Sequence, residues 1–195
     1  MNKRWGHTGV FLFISSLFLY HQGFSQVLFR QAAGNSIVVS GTSTLHDWTL
    51  TSTDVKISAT LQLTEDNQPT ELQSLSVVVP TKSLKSGHTA MDRNTYSTID
   101  ADRNPTIEFK LLSATISNSV IQCTGQLTVG GTTKKINLDT MFKIDSRQNI
   151  SCKGSIKMKM TDFNIDPPSF MFGTVTTGDE ITITFQVNLA SQNHS

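Results

Sequence analysis

The sequence predicts an all-β fold: a closed antiparallel barrel of eight strands, with one short helix inserted between strands at about residues 86–100. Three observations lead there. Long runs alternate apolar and polar residues, the period-two signature of half-buried strands. Polar turns and a Gly130-Gly131 pair join these runs at hairpin spacing. One polar, helix-compatible segment interrupts the pattern, and no second helix exists to cover an open sheet. Every strand then needs burial on one face and tolerates water on the other. A closed barrel meets both demands and leaves no exposed edge.

The 195 residues suffice for one domain with a sizeable core. Sixteen basic residues face fifteen acidic ones, so no polyanion-binding signal exists and nucleic acid is not an expected partner. Residues 1–25 read as a secretory signal peptide. Lys3 and Arg4 give a positive start, Val10 to Tyr20 is a short apolar core, and Gly23 and Ser25 precede a cut ahead of Gln26. The run is short of the ~20 residues that a membrane span needs. No later segment is apolar enough to span, so the expected location is periplasmic or secreted, with the domain at 27–190.

Taken in order, Ile37 to Thr42 reads as the first strand. Leu45 to Leu50 follows, placing His46, Trp48 and Leu50 on one face. Val55, Ile57, Ala59, Leu61 and Leu63 alternate with polar residues. Leu75, Val77 and Val79 lead to Pro80, where the helical insert starts, with Ser86 as a candidate N-cap. Met91 and Ile99 lie about two helical turns apart, so both can face inward. Pro105 ends the insert, and Ile107, Phe109 and Leu111 resume the alternation. Two hairpins follow, and Ile181 to Leu189 forms the last strand before a tail expected to fray.

Register can be read from the turns. With Gly130-Gly131 at the tip, Val129 faces Thr132, Leu127 faces Lys134, Gly125 faces Ile136 and Cys123 faces Leu138. Across the next hairpin Ile144 faces Ile150 and Phe142 faces Cys152. The two cysteines are then ~9–10 Å apart sideways and ~13 Å along the strands. That exceeds the ~7 Å Cα limit for a bridge, so two buried free thiols are expected. Gly41, Gly125, Gly154 and Ala59 fall at inward positions. They mark bends of the sheet, or they leave room for a slender ligand.

Chemistry-bearing residues are few. His46-Asp47-Trp48 is the one local cluster with catalytic types, but in a strand Asp47 points away from His46. The mature histidines His46, His88 and His194 lack metal-ligand spacing, so neither metal nor cofactor is expected. Lys153, Lys157 and Lys159 form a solvated outer row. The loop from Phe163 to Thr177 carries Phe163, Ile165, Phe170, Met171 and Phe172. It either closes one barrel end as core or gates an entrance.

Several motifs then come in one order: Pro80-Thr81-Lys82-Ser83-Leu84-Lys85-Ser86-Gly87, Met91-Asp92, Asn104-Pro105-Thr106-Ile107-Glu108-Phe109, Gly125-Gln126-Leu127-Thr128-Val129 and Asp162-Phe163-Asn164-Ile165-Asp166-Pro167-Pro168. From Val27 to Leu189 the chain resembles the YceI-like family, exported lipocalin-like proteins also called polyisoprenoid-binding. The resemblance implies an extended eight-stranded barrel with a helix and an apolar tunnel holding an isoprenoid or another amphiphilic lipid, quinone-like or polyprenyl. One departure stands out. Many relatives carry a His-Ser-x-Val-x-Phe pattern in the first hairpin, where this chain has Ser43-Thr44-Leu45-His46-Asp47-Trp48.

The expected function is therefore a non-enzymatic lipid carrier, store or stress protein. Trp48, Phe109, Leu138, Phe142, Ile156, Met158, Met160, Phe170, Phe172 and Phe185 are the expected tunnel lining. His46, Asp92 and Arg93 are the head-group candidates, with Lys85 and Asn94 beside them. A lipid-modifying enzyme using His46, and a barrel filled with side chains that acts through its surface, are the alternatives.

Overall fold

The computed structural model describes residues 25–170 and 172–192. Most of the expected signal peptide, Met171 and the last three residues, with His194, lie outside the described residues. The elements are β1 (Ser25–Gln31), β2 (Ser36–Ser43), β3 (Trp48–Ser52), β4 (Lys56–Leu63), β5 (Pro69–Pro80), α1 (Thr89–Thr98), β6 (Thr106–Ser117), β7 (Val120–Val129), β8 (Thr132–Ile144), β9 (Ile150–Lys159), β10 (Ser169–Phe170) and β11 (Val175–Ser191). Short 3-10 turns span Thr81–Ser83 and Thr161–Phe163.

Eight strands close a ring in the order β1-β4-β5-β6-β7-β8-β9-β11 and back to β1. β1 is the closing strand. Val27 pairs with Leu61 and Phe29 with Ala59 on one side, while Phe29 pairs with Ser191 and Gln31 with Leu189 on the other. β1 precedes Ile37 to Thr42, the first strand expected from the sequence, and starts at the last residue of the expected signal peptide. β2 and β3 instead form a hairpin on the first part of β11, from Thr177 opposite Ser43 to Gln186 opposite Ser36. A bridge between Thr51 and Lys85 ties that hairpin to the chain before α1. The wall is thus closed by β1 at one end and extended by β2–β3 at the other.

Both inferred hairpin registers are present, with Cys123 opposite Leu138 and Phe142 opposite Cys152. Both cysteines are free and buried. Burial, with the Asp139 carboxylate adding to it, pushes the Cys123 thiol up to about 11. Burial, then the neighbouring Cys123, pushes the Cys152 thiol up to about 12. Neither thiol is a nucleophile near neutral pH. On β4 the alternation is realised fully, with Ile57, Ala59, Leu61 and Leu63 all buried. The last strand runs from Val175 to Ser191, starting earlier and ending two residues later than the expected Ile181 to Leu189.

Three inward glycines do not leave empty room. The Trp48 ring lies over Gly41, the Phe109 ring over Gly125 and the Phe185 ring over Gly154, so that an added Cβ would overlap each ring. Large aromatics fit flat against the wall only because the residue beneath lacks a side chain. At Gly125 and Gly154 a Cβ would also crowd the carbonyls of Lys110 and Asp139, at 2.8 Å and 3.0 Å.

The insert between β5 and β6 is tied at its neck. The Thr81 amide donates to the Pro105 carbonyl at 2.8 Å, and the Thr81 hydroxyl to the Asn104 carbonyl at 2.7 Å. α1 starts later than the sequence suggested. Its N-cap is His88, which makes no side-chain cap bond, and Ser86 is not the cap. Ser86 instead serves the first turn from outside: its amide and its hydroxyl each donate to one Asp92 carboxylate oxygen at 2.7 Å. The Lys85 ammonium stands 3.8 Å from the other oxygen. The Ser86 amide, then its hydroxyl, hold the Asp92 carboxyl below the usual carboxylate range. The Tyr96 hydroxyl lies 2.7 Å from the Leu84 carbonyl and 2.9 Å from that of Lys82, fixing the middle of the helix to the same segment.

Three outcomes are expected. A thiol reagent at about pH 8 modifies the folded protein slowly and adds two labels after denaturation without reductant; fewer than two would contradict free thiols. Gly125→Val and Gly154→Val each cost about 1–3 kcal/mol in denaturant unfolding, because a ring and a carbonyl must both move. For Asp92 the folded carboxyl is the stronger acid, so its stabilisation is present at neutral pH. It begins to fade below about pH 4 and is lost as pH falls through the depressed folded value. Asp92→Asn should flatten the acid limb of stability against pH, and an unchanged limb would remove Asp92 from that role.

Candidate functional site

The barrel encloses a cavity of about 450 Å³ that runs from the α1 end deep between the strands. Its walls come from nearly every strand: Ile57 and Leu61 of β4, Leu72, Leu75, Val77 and Val79 of β5, Leu138 of β8, Ile156 and Met158 of β9, and Ile183 and Phe185 of β11. This follows from the period-two pattern, since one face of each strand points inward. Among the described residues, no Asp, Glu, Lys or Arg lines the cavity.

At the far end, Leu63, Phe142 and Ile150 lie near the turns at 64–68 and 145–149 and are buried in the core cluster; of the three, Ile150 lines the cavity. Phe142 was expected on the tunnel wall. It lies opposite Cys152 and is buried in the core cluster, but it does not line the cavity. The near end is roofed by α1 and by Phe163 and Ile165, whose 3-10 turn ends at Asn164 in a left-handed conformation (φ 57°). Phe163 and Ile165 are core residues, 3% and 8% exposed.

The loop from Phe163 to Thr177 therefore does two things. Its first part is core. Its second part, Pro168 and Phe170, forms the cavity rim. Phe172, expected on the wall, does not line the cavity; its side chain is fully exposed.

The α1 face toward the cavity carries Met91, Asn94, Thr95, Thr98 and Ile99. That spacing of three, four, seven and eight residues from Met91 is one helical face. Met91 and Ile99 frame a short polar strip, and the side chains of Asn94, Thr95 and Thr98 make no hydrogen bond within the described residues. Two of the expected head-group residues fall off this face. Asp92 is buried against Ser86, and Arg93 is exposed on the outer side; neither lines the cavity. The helical period, applied from Met91, selects Asn94, already among the candidates, together with Thr95 and Thr98.

His46 does reach the rim, but from a turn rather than a strand. The Ser43 hydroxyl oxygen accepts from the amides of Leu45 and His46, both at 3.2 Å, and lifts residues 44–47 out of the hairpin. The Asp47 main-chain carbonyl accepts from His46 Nδ1 at 2.7 Å, so the Asp47 carboxylate does not orient the ring. Trp48 lines the cavity and donates its indole N–H to the Thr42 carbonyl at 3.1 Å. Ser43 and Thr177 add further hydroxyls at this end. Phe109, Leu138, Ile156, Met158, Met160, Phe170 and Phe185 all line the cavity. Among the described residues, no group of three or more His, Cys, Asp or Glu side chains could hold a metal.

Comparison with known proteins fits this architecture. BcnA of Burkholderia cenocepacia superposes with a TM-score of 0.66 at 13% identity, covering 79% of this chain and 95% of that one. A polyisoprenoid binding domain from Saccharophagus degradans gives 0.63 at 8% identity, covering 86% of this chain and 99% of that one. The Campylobacter jejuni YceI protein gives 0.56 at 20% identity, covering 71% and 82%. At these identities the likeness is one of fold. No curated protein sequence matches the chain. The model of the YceI-like domain matches residues 25–189, β1 through nearly all of β11, and the chain accordingly belongs to the YceI-like domain family.

Proposed function

We propose that this protein is an exported binding protein that carries or stores an amphiphilic lipid with a long apolar chain and an uncharged polar head, such as a prenylated quinone or alcohol. The observation that carries this reading is a cavity of about 450 Å³ with apolar walls and no charged residue on its lining. Its size suits a small-molecule site, for which ~300–1,000 Å³ is usual. Each methylene moved from water into such walls is worth ~0.8 kcal/mol. A phosphate or carboxylate drawn inside would lose its water without gaining a counter-ion. A carbonyl or hydroxyl head has what it needs in Asn94, Thr95, Thr98 and His46. The similar fold of a polyisoprenoid binding domain supports the choice of chain type.

Carriage is favoured over catalysis. His46 stands at the rim held by a main-chain carbonyl, and the lining supplies no carboxylate or amine to work with it. A wall-lined void of this size also argues against a barrel filled by its own side chains. The expected site of action is the periplasm or the cell exterior. A cut ahead of Gln26 would leave Val27 and Phe29, the buried residues of β1, in the mature chain.

Quenching of Trp48 fluorescence by an added prenylquinone tests this, with Trp48→Phe as the control that removes the signal. Saturable quenching is expected, displaced by a prenyl alcohol and at least about tenfold less well by the phosphate of the same chain. Asn94→Leu and Thr98→Val should each weaken binding by about 0.5–1.5 kcal/mol while leaving the unfolding midpoint within error. Equal or tighter binding of the phosphate would reject the uncharged head. No quenching by any of them would reject the cavity as a lipid site.

A further inference from the structure

Two loop tips beside the cavity rim expose large apolar side chains. Leu45, in the turn between β2 and β3, is 69% exposed, and Phe172, between β10 and β11, is fully exposed. The tips are joined: the Thr44 amide donates to the Thr176 carbonyl at 3.0 Å, and the Thr44 hydroxyl to the Thr174 carbonyl at 3.3 Å. Behind them, Leu45, His46, Pro168 and Phe170 line the cavity, so the exposed apolar tip is continuous with the apolar interior.

The second loop has no charge from Pro167 to Gly178; Asp166 and Asp179 are its nearest charged neighbours. Phe172 is also held at φ 55° at the third position of a turn closed by the Gly173 amide and the Phe170 carbonyl. That conformation favours glycine, and a bulky residue there is strained. The chain thus keeps an aromatic residue both in water and in a backbone conformation that suits it badly.

We infer that the joined tips carrying Leu45 and Phe172 dock on a lipid bilayer and bring the cavity rim to its surface. This rests on the proposed lipid cargo, which resides in membranes and leaves them through water only at great cost. A bilayer is the fitting occupant for two reasons. The Phe172 loop carries no charge and Asp47 is the one carboxylate in the Leu45 turn, so the projecting apolar side chains enter the interfacial region with few ions to strip of water. The joined tips expose only two large apolar side chains, whereas a protein partner needs a broad complementary face.

The test is flotation of the full protein with vesicles of phosphatidylethanolamine alone and of phosphatidylethanolamine with phosphatidylglycerol, at low and high salt. Association with both, little changed by salt, is expected, since apolar insertion is not screened. Leu45→Asp and Phe172→Gly should each lower the bound fraction by about tenfold or more. Phe172→Gly relieves strain, so its folding stability should hold or rise, which separates docking from misfolding. Leu112→Asp, at an exposed apolar residue of β6, should change nothing. No association, binding to anionic vesicles only at low salt, or variants that float like the wild type would overturn the proposal. So would a dimer abolished by Leu45→Asp in a protein that ignores vesicles. Prenylquinone added from organic solvent reports the cavity separately: uptake without flotation sinks docking alone, and flotation without uptake sinks the cargo alone.

Discussion

Closure of the ring by β1 is the constraint on which the rest depends. β4 and β11 meet no other partner at that end of the barrel, and β1 pairs with both. Without it, two strand edges would stand open and the interior would be a water-filled cleft rather than a cavity. Phe29, 1% exposed, and Val27 enter the core from this strand. Closure then dictates the composition of the interior. Eight strands enclose slightly more space than their side chains fill, and every inward position must be apolar or small.

The aromatic rings over glycines refine how the interior is shaped. Phe109 and Phe185 could narrow the barrel if they stood upright. Lying over Gly125 and Gly154, they leave a lumen between smooth walls. The other end is managed by the insert, a loop cinched at Thr81 and braced by Asp92 and Tyr96. Those bonds spend the polar groups of its outer side on the loop itself. What remains facing inward is a short strip of amide and hydroxyl groups.

Much of this was legible in the sequence, because strand periodicity maps directly onto inside and outside. The registers around Gly130-Gly131 followed from the turn alone, and free thiols followed from the registers. The losses have physical reasons. β1 is hidden in the sequence because its seven residues begin at the end of the expected signal peptide, where composition speaks of processing rather than pairing. Phe142 was assigned to the wall because period two fixes the face of a residue but not its height in the barrel. Asp92, Arg93 and Asn94 are all polar residues of the insert, but a helix selects its inward residues by period, and of the three only Asn94 faces the cavity. Phe172 was read as lining because an apolar loop residue is expected to pack, and this one does not.

The central claim is that the cavity holds an amphiphilic lipid with an uncharged head. Native mass spectrometry of protein isolated from its own host, under conditions that keep non-covalent complexes, tests it most directly. The account predicts a species heavier by one lipid per chain, which organic extraction removes and identifies as neutral-headed. Protein that carries no lipid when isolated, and gains none after incubation with prenylquinones or prenyl alcohols, would contradict it.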